Sequence, residues 1–445
     1  MAWYAVCDYR QRAEQGADMK IVIDNATYTQ IKNLSFAPET DITGGSIPVN
    51  RFTVEIHTDN VINVGVNGYL YDDDDNLWAK YWITESVIPQ EGWVKITAQS
   101  IITLLDRFTL PAVVYNAEPI ADVLQSIFAP LYDVYPSDTW FVLDNALSGA
   151  TITGYCPEQK ARDRLLWVVF VIGAYVKSYF NDYIEIKALD STQTTIPDDK
   201  TFWRPEVNYT DYVTAVKVRA YTYTQGTPQT VDKWVQVGND YYIETYQDYT
   251  LTNPDVPVTA VENVKKIDKV MIVNENNVSA VLSHLAQYYF KRIEVSADVL
   301  NTGEYQPADK CLVNTGDRLI SGFIKSATFT FGHGSKSQIR LVQSDEVDSA
   351  NLTIEYVYGN DVLRRVKYLM PVGYSYSISN PYIDMLYNDH RCIFRPLSST
   401  ATGTVVSGGV TDQEGMDIAI DAYEQEVYII DVDSATESDE VVSIG

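Results

Sequence analysis

Apolar and polar residues alternate in short runs along most of the chain. From Lys20 to Leu105 the runs KIVIDNATYTQIKNLSFA, RFTVEIHT, VINVGVNGYLY, LWAKYWITESVI and WVKITAQSII are of strand length, rich in Val, Ile, Thr, Tyr and Trp, and bounded by Asn, Gly or Asp. Such period-two runs predict half-buried strands, and their succession predicts a compact β-barrel or sandwich. The period changes at Asn116. Ile120, Val123, Leu124, Ile127 and Phe128 fall at helical spacing, with Pro119 suited to a first turn. PEQKARDRLLWVVFVIGAYVK reads as a second helix opened by Pro157 and Glu158, running into a hairpin, YVKSYFNDYIEIKAL, whose turn is Asn181-Asp182.

After Pro205 the β pattern returns in DYVTAVKVRAYTYT and DKWVQVGNDYYIETYQDYTLT. A helix over 277–291 follows, then the strand runs IEVSADVL, DRLISGFIKSATFTF and SQIRLVQS. This stretch matches the first in size and strand content, as a degenerate duplication would. Beyond Ser349 come NLTIEYVYG, VLRRVKYLMPVGYSYSI, CIFRPLSS, GTVVSGG, MDIAIDAY and EVYIIDVD, short strands at regular spacing. The predicted organisation is a β domain over 1–110, an α+β module over 111–199, a second β domain over 200–345 containing the helix, and a small all-β domain over 346–445.

Length and charge narrow the classes. At 445 residues the chain has room for several domains and an ample core. Its 33 Lys and Arg against 60 Asp and Glu give a formal charge of −27, which excludes an electrostatic grip on nucleic acid as the main activity. The charge is uneven: residues 21–199 carry 24 acids and 10 bases, 200–344 carry 15 of each, and 345–445 carry 18 and 5. Tyrosine, at 33 residues, outnumbers 13 Phe and 8 Trp together. Its apolar ring and wettable hydroxyl suit strands and assembly surfaces, and also half-exposed strand faces that bind nothing. Cys7, Cys156, Cys311 and Cys392 have no metal-ligand or CxxC spacing and read as reduced thiols. With no basic n-region before a signal-like apolar run, and no apolar stretch of about 20 residues, the expectation is a chain made in a cytoplasm without a membrane span.

Catalytic constellations are scarce. Only His57, His284, His333 and His390 are present, and no HExxH, GxSxG or Walker sequence occurs. GHGSKS at 332–337 lacks phosphate-loop spacing and reads as a hairpin turn. Asp72 to Asp75 with Asn76 reads as an acidic hairpin tip, because an EF-hand loop needs a Gly and a Glu that are missing. His390 and Cys392 could share a strand face, but lack a third orienting group and read as packing. No catalytic residue, cofactor or metal is expected.

Laid in order, these pieces resemble the hub or central tail-tip proteins of bacteriophages and phage-like particles, the baseplate hub and siphophage tail-associated families. The resemblance rests on the β-rich first domain, PEQKARDRLLWVVFVIGAYVKSYFNDYIEIKAL, DYVTAVKVRAY, SGFIKSATFTF with SQIRLVQS, and the acidic final domain with PVGYSYSISNPY. It implies a mainly β fold with α+β insertions: two tail-tube-like β-barrels, roughly 18–110 and mostly 200–345, plus the small C-terminal β domain. It implies a non-enzymatic homotrimer that adapts a sixfold tail tube to a threefold tip at the virion tail tip and forms part of the DNA conduit. The implied partners are tail tube or distal tail ring proteins, the tape measure protein, a tip or spike protein, and DNA passing without specific binding. An acidic wall would let that DNA slide. Val216 and Ile324, on strands expected to face protein, are the candidate assembly positions. The alternatives are a carbohydrate-binding adhesin using Tyr and Trp, and a cell-wall hydrolase.

Overall fold

The computed structural model describes residues 19–347, apart from positions 73, 137–138, 198–199, 203, 230–231, 302, 316–317 and 331–335, and beyond them the backbone of strands between Thr353 and Ile444. It divides into two compact units, residues 1–311 with 322–345, and residues 312–321 with 346–445.

The first unit opens with seven strands that follow the alternating runs: β1 (Lys20–Ile23), β2 (Ala26–Tyr28), β3 (Ile31–Ala37), β4 (Arg51–His57), β5 (Asn67–Tyr71), β6 (Leu77–Gln90) and β7 (Trp93–Ser100). Alternation puts Phe52, Val54 and Ile56 of β4 on one buried face, each opposite Ala98, Ile96 or Val94 of β7. Asp24 and Asn25 between β1 and β2 both have positive φ, 49° and 65°, as a two-residue hairpin of the primed type requires.

The sheet does not close after seven strands. Its order runs β2, β1, β5, β6, β7, β4, β3 and continues through Leu319–Thr330, Lys336–Val347, Ile293–Leu300 and Glu206–Tyr209. In place of two separate closed barrels, the described residues form one open sheet, in which the two predicted strand sets meet edge to edge. The fold is mainly β with α+β insertions, as the sequence implied.

The insertions build a second core. Helix α1 (Ile120–Val134) buries Ile120, Val123, Leu124, Ile127, Phe128 and Leu131, the stripe that predicted it; Pro119 stands at the N-cap, where a missing N–H costs nothing. Helix α2 (Ala161–Val171) begins after Pro157 and Glu158, which lie in the preceding loop. Leu165, Val168, Val169 and Phe170 are all buried, so α2 is covered on most sides. The predicted hairpin is present as Ala174–Lys177 against Ile184–Ala188. Helix α3 (Val278–Tyr289) packs on a four-stranded sheet ordered Trp234–Val237, Asp240–Thr252, Ala215–Gln225, Val264–Ile267. Its Val281 and Leu285 join one continuous cluster with Leu124, Val168, Val216 and Val218. The strands over 215–267 therefore share a core with the α+β module and stand outside the large sheet.

The second unit holds two sheets, one ordered Thr353–Tyr358, Arg364–Met370, Cys392–Pro396, Glu426–Ile430, Asp417–Asp421, the other Tyr376–Asn380, Glu440–Ile444, Gly403–Ser407. Each C-terminal run read as β from the sequence contains one of these strands, VLRRVKYLMPVGYSYSI also holds most of Tyr376–Asn380, and Glu440–Ile444 is additional.

Candidate assembly surface

The large sheet offers a junction, edge strands and a polar face. At the junction β3 pairs antiparallel with Leu319–Thr330, placing Phe36 opposite Phe329 and Ser35 opposite Thr330. The pairing is extended by N–H donation from Thr40 to the Lys325 carbonyl and from Ala327 to the Pro38 carbonyl, both at 3.0 Å. Trp78 and Phe180 complete an aromatic cluster behind it, with the Trp78 ring 4.9 Å from Phe329 and 5.0 Å from Phe180. Phe180 belongs to the α+β module, so the module is seated where the two strand sets join.

The main strand path ends at β2 and at Glu206–Tyr209, and a branch from Leu319–Thr330 through Lys310–Asn314 ends at Gln193–Thr195. Glu206–Tyr209 pairs on one side only, Glu206 opposite Ser296 through Tyr209 opposite Ile293. The Thr210 N–H donates to the Arg292 carbonyl at 2.8 Å. Antiparallel pairing alternates, so the inward N–H groups belong to 206, 208 and 210, and the Val207 N–H points away from its neighbour. An edge with outward-facing backbone groups is a template for another strand.

The polar face is not an acidic wall. Lys32 Nζ lies 3.3 Å from Glu55, Lys336 Nζ lies 2.7 Å from Asp298, and Arg340 pairs with Glu294. The Asn33 amide, followed by the Lys32 and Lys95 ammonium groups, holds the Glu55 carboxyl below the ordinary carboxylate range. Glu55, Asp298 and Glu294 are each matched by a base on a neighbouring strand.

Both residues singled out from the sequence are interior. Val216 is fully buried in a strand flanked on both sides, by Asp240–Thr252 and Val264–Ile267. Ile324 is fully buried on Leu319–Thr330, an inner strand of the large sheet. Both side chains are covered by residues of their own chain. The edge positions 26–28 and 206–209 escaped notice, although the Asp24-Asn25 turn and the isolated run EVNY were their signals.

The remaining candidates are structural. Asp72 accepts hydrogen bonds from the Asp74 and Asn76 N–H groups, the Asn76 amide and the Trp78 indole, which closes the hairpin between β5 and β6. His57 packs edge-on against Trp93 with ring centroids 5.2 Å apart, and His284 Nε2 lies 3.0 Å from the Ile42 carbonyl oxygen. Cys156 and Cys311 are buried free thiols, and burial pushes each up to about 12. Asp73, His333, His390, Cys7, the loop of GHGSKS and the side chain of Cys392 lie outside the described residues. Among the described residues no group of three or more His, Cys, Asp or Glu could hold a metal ion, and no helix is long and apolar enough to cross a membrane.

The fold is similar to those of solved tail proteins. In particular, the chain is similar to the tail protein from Neisseria meningitidis MC58, at 11% identity and a TM-score of 0.53, over 75% of this chain and 97% of that one. It is likewise similar to the 43 kDa tail protein of prophage MuSo2 from Shewanella oneidensis, at 10% identity and a TM-score of 0.52, over 73% of this chain and 98% of that one. No protein-family model and no curated protein matches the chain. The resemblance read from the sequence thus holds at the level of the fold.

Proposed function

We propose that this chain is a structural, non-enzymatic component of a phage or phage-like tail, and that it acts as the hub at the tail tip. The observation that carries the reading is the open sheet: two strand sets fused within one chain, with an unpaired edge at each end. Head-to-tail pairing of β2 from one copy with Glu206–Tyr209 of the next is a heterologous contact, which forms a ring when the rotation between copies closes. Three copies would supply six strand sets, which adapts a sixfold tube to a threefold tip. The polar face would then line the conduit, and its paired charges offer passing DNA neither a continuous cationic track nor strong repulsion.

The sequence-derived division at 110, 199 and 345 belongs to this reading, with the α+β module outside the ring and 346–445 as an appended domain. So do the partners: tail tube or distal tail ring proteins above, the tape measure protein, and a tip or spike protein below. Assembly contacts come from the edge strands rather than from Val216 and Ile324, whose side chains are occupied within the chain. Mass photometry of the purified chain and cryo-EM of assembled particles test the proposal. A trimer seated under the tail tube is expected; a monomer that persists at high micromolar concentration, with no tail-bound form, overturns it.

A further inference from the structure

The two ends of the main strand path differ in a way that fixes how they can meet. At Glu206–Tyr209 the N–H groups of 206, 208 and 210 point inward, so those of Val207 and Tyr209 point outward. Val207 lies opposite the buried Val295, so the residues with outward backbone groups share the apolar face of the sheet. At β2 the relation is reversed. Ile23 and Ala26 close the two-residue Asp24-Asn25 turn and bond to each other, so Ala26 and Tyr28 spend their backbone groups on β1 while those of Thr27 point outward. Ala26 and Tyr28 lie opposite the buried Ile23 and Ile21, which leaves Thr27 on the polar face.

Antiparallel strands set residues with the same hydrogen-bond direction opposite one another, on the same face. Docked that way, Thr27 of one copy meets Val207 or Tyr209 of the next, and the apolar face of one copy runs into the polar face of its neighbour. Parallel strands alternate, each bonding residue reaching the two that flank the one it stands beside. Thr27 then bonds to Val207 and Tyr209 while standing beside Asn208, and like faces continue across the seam.

The number of strands leads independently to the same orientation. The main path has eleven strands, and nine of its ten pairings are antiparallel by register. The tenth joins Leu319–Thr330 to Lys336–Val347, five residues apart in the chain, far short of the dozen or so that a parallel crossover needs. Ten reversals leave β2 and Glu206–Tyr209 pointing the same way within one copy. Rotation about a ring axis preserves direction along that axis, so the strands that meet at each seam run parallel.

We infer that the seam between copies is a parallel strand pair, with Thr27 of one copy beside Asn208 of the next. The inference rests on the head-to-tail ring proposed above and adds the orientation and register of its contact. This register sets Ala26 beside Val207 and Tyr28 beside Tyr209 on the apolar face, where Ala26 is exposed and Tyr209 is 51% exposed in the single chain. Neighbouring side chains on one face, aromatic pairs among them, stabilise a strand pair. A slide of two residues either way carries Tyr209 or Val207 past the end of β2. The competing arrangement is a two-fold dimer of Glu206–Tyr209 with its own copy, which is antiparallel.

Disulfide trapping in the full chain tests the seam, with Cys7→Ser and Cys392→Ser as background and the buried Cys156 and Cys311 retained. On oxidation T27C/N208C, and Y28C/Y209C as a second pair in the same register, should run as covalent trimers on a non-reducing gel. Their yield should exceed that of T27C/V207C at least about tenfold, because a disulfide needs Cβ atoms about 4 Å apart and residues 27 and 207 face each other only in an antiparallel seam. T27C and N208C alone should not cross-link. Mass photometry of the reduced proteins separates this inference from the ring itself. If a trimer forms but is trapped by T27C/V207C, or by neither parallel pair, the parallel seam is overturned and the trimer stands. A dimer trapped by N208C alone shows two-fold pairing of this edge and overturns both, as does a wild-type chain that stays monomeric at high micromolar concentration.

Discussion

Phe36 and Phe329 sit directly opposite one another across the strand pair that joins the two halves of the large sheet, their rings stacked with centroids 6.0 Å apart. They are 293 positions apart in the chain, and both are almost fully buried. The contact ties the first strand set to the last one added.

Truncating it should be costly. Phe329→Ala leaves a cavity among Phe36, Trp78 and Phe180, with an expected loss of about 3–5 kcal/mol. Urea denaturation should show a lower midpoint with an unchanged slope. A loss under about 1 kcal/mol would mean that the junction is not a stability determinant.

The edge can be probed without harming the fold. Proline at 207 removes an N–H that points away from the neighbouring strand and leaves the inward ladder intact, a placement edge strands tolerate. Val207→Pro should therefore unfold within a few degrees of wild type yet fail to form a ring in mass photometry. Asn208→Pro, which removes an inward N–H, should lower the melting temperature. A Val207→Pro trimer as abundant as wild type rules this edge out.

His284 links α3 to the loop after β3 through the Ile42 carbonyl, and burial lowers its pKa below the ordinary histidine value, outweighing the raising effects of that hydrogen bond and of Asp41. The unfolded chain takes up a proton as the pH falls through about 6.5, whereas the folded chain resists it until lower pH. The stabilisation is thus fully present above that value and declines as the pH falls below it. Melting temperatures measured from about pH 7.5 to 5.5 should fall, and His284→Gln, which keeps an amide donor for Ile42, should flatten part of the slope. An unchanged slope would remove His284 as its source.

Cys156 and Cys311 should resist alkylation in the native protein at pH 8, since burial holds both thiols protonated. Mass spectrometry after iodoacetamide treatment should find them modified only once denaturant is added. Native labelling of either residue would show that its cover opens.

Much of the local structure was legible in order of elements. The alternation in RFTVEIH and WVKITAQS specified β4 and β7 down to which residues face inward, because strand periodicity is a property of the chain itself. The stripe from Ile120 to Phe128 did the same for α1. Helix α2 was harder to delimit. Its residues are apolar nearly all round, so periodicity could not separate the loop at Pro157 from the helix that starts at Ala161.

The candidate positions show where such reading stops. Val216 and Ile324 lie on alternating strand faces that avoid water, but alternation is silent on whose atoms cover them; here their own chain does. Likewise Trp234 and Tyr241 have the rings of core strand residues, yet both are exposed.

By itself the sequence determined the elements, their inward faces, the acidic balance and the resemblance to tail hubs, all of which follow from local pattern and summed composition. Tertiary structure alone decided that the two strand sets form one open sheet, that Phe36 meets Phe329, and that Glu55, Asp298 and Glu294 are each matched by a base. Those facts depend on pairings between residues hundreds of positions apart, and the register of a long-range strand pair is settled by the packing of both partners at once.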